Sequence, residues 1–280
     1  MLKTGLQLVR FPGIFTAFSN VLIGFFLASE GNLELAKLPF LLTTTGLLFS
    51  GGMMLNDFVD HRIDQVERPN RPIPSKKISR EKILVLIILS FSIANFSALM
   101  IGNTSVIITL IMTGLIFSYN IKLKNISVIG IISISAIRFL NVLLGFSIVD
   151  IGFDLMQYAV PVGLFVAGIS ILAKNELSGN PRDQILNKIL LTVTVASTIF
   201  LIVQHQSWNS IVFLAAFLIT VIYSINRIRV NISKIVTIQI LSIIFLDAII
   251  VTLNNELIFG VITASLIIPG YFIAKKLYIT

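Results

Sequence analysis

The sequence predicts an all-α, polytopic transmembrane helical bundle of nine or ten spans, and three observations carry that expectation. Of the 280 residues 56% are hydrophobic and only 12% charged, with a mean hydropathy of +0.96. A water-soluble domain of this size would be about one quarter charged, because its surface faces water. Apolar runs of about 20 residues, long enough to cross ~30 Å of hydrocarbon as helix, recur along the whole chain. The few charges fall between those runs and are sorted by sign.

The runs place spans near 9–29, 36–55, 83–101, 104–121, 126–149, 155–173, 187–204, 209–225, 235–253 and 257–274. Each is continuously apolar over more than ten residues without period-two alternation, which excludes the strands of a membrane barrel. The longest polar segment, 56–82, is too short for a soluble domain, so residues 1–280 read as a single membrane domain whose work is done in or at the bilayer. The start of the chain lacks a small-residue cleavage site and reads as the first span rather than a signal peptide. The chain has no cysteine, which removes disulfides, thiolate nucleophiles and cysteine-ligated metals.

Numbering the loops by these spans puts 19 of the 21 Lys and Arg residues with the two termini and the even loops. The other face holds Lys37 with Glu30, Glu34, Asp150, Asp154 and Glu256. By the positive-inside rule the basic face is cytoplasmic, in what is expected to be the cell (inner) membrane. The net charge of +8 is thus a topology signal and not a nucleic-acid footprint. Arg138 and Asp247 fall inside spans at matching depth, where charge marks a cavity or a partner. They are expected to pair and to line a substrate cavity, with Asn141 one turn from Arg138 and Asn20 of the first span facing the same space.

After the second span the chain reads LNDFVDHRIDQVERPNRPIPSKKIS. On a helix at about 100° per residue, Asn56, Asp57, Asp60 and Asp64 lie near 0°, 100°, 40° and 80°, on one face. Three carboxylates so close repel one another unless positive charge sits among them. All-oxygen donors favour a hard divalent ion such as Mg2+, usually shared with substrate phosphates. Arg62, Arg68, Arg71, Lys76 and Lys77 follow and offer charge-assisted bonds to phosphate oxygens. Together these residues suggest a metal–diphosphate site at the membrane surface.

Asn56-Asp57-x-x-Asp60-x-x-x-Asp64 matches the NDxxDxxxD signature of the UbiA superfamily of membrane prenyltransferases, and Arg68-Pro69-Asn70-Arg71-Pro72-Ile73-Pro74-Ser75 resembles the RPxRPxPSG run that follows it. Tyr119-Asn120-Ile121-Lys122-Leu123-Lys124, then Gly130, is similar to the family's tyrosine-to-lysine segment. The resemblance implies that Asn56, Asp57, Asp60 and Asp64 hold Mg2+ on a polyprenyl diphosphate. Arg68, Arg71, Lys122 and Lys124 would neutralise the leaving pyrophosphate, with Tyr119 beside them and the tail in a central apolar cavity around which the helices are bundled. Asp57, Asp60, Lys122 and Lys124 are then the expected catalytic group. The acceptor would be a lipophilic molecule in the membrane: an aromatic ring such as hydroxybenzoate, naphthoate or homogentisate, a chlorophyll-type alcohol, or a glycerophosphate lipid.

Two departures accompany the resemblance. The family's second motif, usually DxxxD, is replaced by Glu176 and Asn180, so a second metal would rest on Glu176 with Asn180 or Asp183. The family usually has nine helices, against ten runs here. A non-catalytic prenyl-lipid binder would tolerate the altered second motif, and a secondary transporter would share the span count and the buried charge. The transporter would also show broken helices in repeated halves, and Gly51-Gly52 has no clear counterpart in the second half. The sequence leaves the oligomeric state open.

Overall fold

The computed structural model describes residues 2–29, 33–174, 180–228 and 231–277, and these residues are helical with short connections. The helices are α1 (Leu2–Leu8), α2 (Phe11–Ala28), α3 (Leu38–Val59), α4 (His61–Glu67), α5 (Arg80–Leu99), α6 (Asn103–Ile121) and α7 (Ser127–Phe146). After a 3-10 turn at Phe153–Ala159 come α8 (Val160–Lys174), α9 (Pro181–His205), α10 (Ser210–Arg227), α11 (Ile232–Val251), α12 (Leu257–Ser265) and α13 (Ile267–Leu277). Side-chain caps mark several starts: Ser79 accepts from the Lys82 amide, Asn180 from Arg182 and Asn231 from Lys234.

Nine segments are long and apolar enough to cross a membrane, so among the described residues the expected nine or ten spans resolve to nine, plus a broken tenth. The break at Leu266 between α12 and α13 has a local cause in Pro269. Its ring removes an N–H and crowds the carbonyl four residues back, that of Ser265, where α12 stops. The first expected span is the single helix α2, and ahead of it Arg10, with φ 45°, separates the short α1 from α2.

Central and peripheral helices differ in what they bury. In α2 and in the segment Ile232–Asn254, 78% of the most apolar stretch is inside the protein, against 28% for α10, whose remaining surface faces lipid. Apolar burial does not drive association between helices already in lipid, so close packing and polar contacts must hold the bundle. At the crossing of α2 on α7 backbone meets backbone. A Cβ on Gly24 would stand 2.2 Å from the Phe146 amide nitrogen, and one on Gly145 would stand 2.0 Å from the Val21 carbonyl oxygen. Helices α2, α3, α6, α7, α8 and α11 surround a cavity of about 330 Å³.

Candidate active site at the mouth of the cavity

The acidic face expected from spacing forms, although the helix is interrupted within it. Asp60 ends α3 and precedes α4, yet the Asp60 amide still donates to the Asn56 carbonyl and the Asp64 amide to the Asp60 carbonyl, each at 2.9 Å. The register therefore carries through, and Asp57 and Asp64 are both buried on the side that faces the protein. Pro69, Pro72 and Pro74 cannot supply helix amides, so the following segment turns back in tight bends closed by Ser75 N–H to Arg71 O and Lys77 N–H to Pro72 O. Ile73 is buried and anchors this turn.

That return brings Arg71 onto the carboxylates. Its Nη1 lies 3.1 Å from Asp57 Oδ1 and 2.7 Å from Asp64 Oδ2. From the other side Arg10 Nη2 lies 3.4 Å from both Asn56 Oδ1 and Asp57 Oδ1. The left-handed backbone at Arg10 aims it there, at the entry to α2. Burial lowers the pKa of Arg10 from its ordinary value; the Asp57 charge opposes this, and repulsion from Arg71 and Arg68 adds to it. Lys124 Nζ donates to Asp60 Oδ1 at 2.6 Å, and Asn56 Nδ2 donates to Asp60 Oδ2 at 3.1 Å. Lys124 sits on a 3-10 turn, Leu123–Asn125, against which α7 packs at Gly130, where a Cβ would come within 2.9 Å of the Leu123 carbonyl.

Not every expected residue joins this cluster. Lys122, the α6 C-cap, is exposed and, among the described residues, forms no ion pair with the aspartates. Arg68 is exposed beside the cluster and acts on Arg10 only through its charge. Tyr119 and Asn56 line the cavity. Asn180 is exposed, and its side-chain oxygen accepts from the Arg182 amide at 3.0 Å, which caps α9. Asp183 lies in the first turn of α9, and Glu176 falls outside the described residues.

Arg138 and Asp247 do not touch, contrary to the expected pair. Asn20 stands between them: Arg138 Nη1 donates to Asn20 Oδ1 at 3.0 Å, and Asn20 Nδ2 donates to Asp247 Oδ2 at 2.7 Å. Ser19 adds a 2.5 Å bond to the same carboxylate oxygen, and Arg138 Nη2 donates to Thr16 at 3.0 Å. The amide transmits the attraction while the charges stay on α7 and α11. Arg138 lines the cavity, whereas Asn20 is wholly buried behind it and orients it. Asn141 borders a smaller, deeper pocket, and both ends of its amide are engaged, by Thr45 Oγ1 at 2.6 Å and the Ala17 carbonyl at 2.8 Å. It braces α2, α3 and α7.

Two residues of the mouth were not expected. Arg10 reads in sequence as one more cytoplasmic charge; its position two residues before Pro12, where the first span must begin, was the available signal. Asn120 lies in the cavity wall with its amide donating to the Ile116 carbonyl and its buried Oδ1 without a partner among the described residues. An unfilled acceptor of this kind suits a cation or a hydroxyl donor.

The oxygen donors fit a hard cation that shares its shell with phosphate oxygens, and do not fit an all-protein cage. Among the described residues no three acidic side chains converge on one point, and each aspartate is matched by a base. Below them the wall is apolar, formed by residues such as Ile134, Val166, Ile169 and Ile243. A charged mouth above an apolar chamber can hold an anionic head and a hydrocarbon tail.

Comparison with known proteins agrees with this architecture. The digeranylgeranylglyceryl phosphate synthase of Saccharolobus solfataricus is 32% identical over 145 residues, 51% of each chain, and that of Pyrococcus furiosus is 30% identical over 116 residues, 41% of this chain and 42% of that one. The chain thus spans about half the length of the curated relatives it matches. Among solved structures, a UbiA homolog from Aeropyrum pernix K1 superposes with a TM-score of 0.71 at 14% identity, covering 87% of this chain and 98% of that one. A UbiA homolog from Archaeoglobus fulgidus bound to DMAPP and Mg2+ gives 0.63 at 17% identity, covering 97% and 99%. The model of the UbiA prenyltransferase family matches residues 17–234. With that span, and with the acidic mouth over an apolar chamber, the chain belongs to the UbiA prenyltransferase family.

Proposed function

We propose that this protein transfers a prenyl group from a prenyl diphosphate to a hydroxyl of a glycerophosphate-type lipid acceptor, at the cytoplasmic face of the cell membrane. The observation that carries the reading is the convergence of Asp57, Asp60 and Asp64 with Arg10, Arg71 and Lys124 at the mouth of an apolar chamber. The acceptor class follows the names of the curated relatives. The orientation follows the charge sorting, since this mouth lies on the face that carries most of the Lys and Arg residues.

The bases now paired with carboxylates are the ones a diphosphate would recruit. Arg71, Arg10 and Lys124 would turn to phosphate oxygens as the head enters, and Asn56, Asp57, Asp60 and Asp64 would hold Mg2+. When bound, that ion supplies Lewis-acid stabilisation of the departing pyrophosphate. The C1–O bond of the donor breaks with its electron pair going to the pyrophosphate. The acceptor oxygen bonds to C1, and its proton leaves with the pyrophosphate. Fixed positive groups facing the developing charge lower the barrier because they need no reorganisation. The apolar wall keeps water from capturing the allylic cation.

The test is pyrophosphate release by purified protein with Mg2+, labelled prenyl diphosphates and a panel of lipid and aromatic acceptors. Release should require the glycerophosphate acceptor and should fall by about 100-fold or more in Asp60→Ala, the scale seen when one electrostatic catalytic group is lost. Release that persists unchanged in Asp60→Ala, or none with any donor, would overturn the reading.

A further inference from the structure

We propose that Arg138 and Phe49 form a septum that sets the upper limit on the length of prenyl tail the chamber accepts, an inference that rests on the prenyl-transfer reading above. The cavity of about 330 Å³ is followed by a separate pocket of about 40 Å³. The two share Leu48, Phe49, Ile116, Ile137 and Arg138 as wall, and the deeper one is completed by Ala17, Thr45, Met112 and Asn141. On α3 Phe49 lies seven residues before Asn56, which places the septum about 10 Å below the charged mouth.

The septum is held from every side. The Arg138 guanidinium carbon sits 5.5 Å from the centre of the Phe49 ring, a cation–π contact. The ring abuts Gly13, where a Cβ would come within 2.6 Å of it. Arg138 is fixed by Thr16 and Asn20, and Asn20 by Asp247, so the whole bar is tied to α2, α7 and α11. A hydrocarbon tail descending past this point must part the guanidinium from the ring or from its oxygen partners. It offers no polar atom in return, so the displaced N–H groups would be left unpaired in an apolar surrounding. Truncating Phe49 removes the apolar half of the bar and joins the two spaces, without disturbing the polar half.

The experiment measures kcat/KM for a series of prenyl diphosphates from C10 to C30 with one fixed acceptor, in wild type, Phe49→Ala, Phe49→Ala with Ala17→Leu, and Arg138→Met with Asp247→Leu. The last variant removes both charges together, so neither is left buried alone. Wild type should show a length beyond which kcat/KM drops. Phe49→Ala should move that drop outward by at least one C5 unit, raising the long-to-short ratio by about tenfold or more, the scale of added methylenes in an apolar pocket. The Arg138→Met, Asp247→Leu pair should do the same. Ala17→Leu refills the deeper pocket and should return the drop to its original place. A drop that stays put in both opened variants, or wild-type rates independent of tail length, would overturn the proposal. Absence of pyrophosphate release with every donor would instead overturn the prenyl-transfer reading.

Discussion

At the scale of single residues, the site is a set of carboxylates whose charge is matched within the protein by bases. Arg71 bears the largest share, since one nitrogen serves both Asp57 and Asp64, and the side chains of those two aspartates are each only 5% exposed. Removing it strands Asp64 beside Asp57, which keeps only the longer contact to Arg10. Arg71→Leu should therefore destabilise the protein by roughly 2–3 kcal/mol, the scale for stranding buried charged groups, read as a lowered midpoint of thermal unfolding in detergent. Adding Asp57→Asn and Asp64→Asn should recover most of that loss while leaving transfer abolished. If Arg71→Leu unfolds at the wild-type temperature, the ion pairs are not what settles this turn. The aspartate spacing was readable in sequence because a helical register reports which residues share a face. Arg10 and the Asn20 bridge were not, because they depend on where α2 meets α3, α7 and α11, and spacing along one helix is silent about that. Equal depth suggested that Arg138 and Asp247 are in direct contact; it could not reveal that an amide stands between them.

At the scale of helices, the apolar runs located the spans but not the way they pack. The nine single spans follow from run length, whereas the tenth run breaks because Pro269 withdraws one backbone bond from an otherwise apolar stretch. The crossing of α2 on α7 shows what run length leaves out: two glycines, Gly24 and Gly145, allow backbone to meet backbone. Because α2 also carries Thr16, Ser19 and Asn20, this crossing sets the position of the polar bar under the cavity. Gly145→Ala would push a methyl group against the Val21 carbonyl and should cost about 1–3 kcal/mol, as overpacking does. The matching control is Gly114→Ala on α6, where a Cβ meets nothing within 4 Å. That change should be neutral or stabilising by up to about 1 kcal/mol through helix propensity. Equal thermal midpoints for the two variants would mean that the close crossing is not needed for the fold.

At the scale of the whole molecule, charge and apolar surface are segregated so that one ligand can join helices far apart in sequence. The mouth draws Arg10 from the entry to α2, the aspartates from α3 and α4, and Lys124 from the turn after α6, while α8 and α11 contribute apolar wall. Aspartate–base pairs tie these parts together, and a diphosphate with Mg2+ would replace those ties with shared ones. Ligand that binds the folded state and not the unfolded chain stabilises by RT ln(1 + [L]/Kd), about 2.7 kcal/mol at 100 times Kd. Prenyl diphosphate and Mg2+ together should therefore raise the thermal midpoint of the detergent-solubilised protein. Neither should do so alone: without the cation the added phosphate charge faces three carboxylates, and without the anion no oxygen donors complete the metal shell. Removing the cation with a chelator should return the midpoint to its starting value. Asp64→Asn should shrink the joint shift, while Asn180→Ala should preserve it, because Asn180 is committed to capping α9. A full shift from prenyl diphosphate in the presence of chelator would mean that the arginines alone hold the head group, and would remove the aspartates from their assigned role as metal ligands.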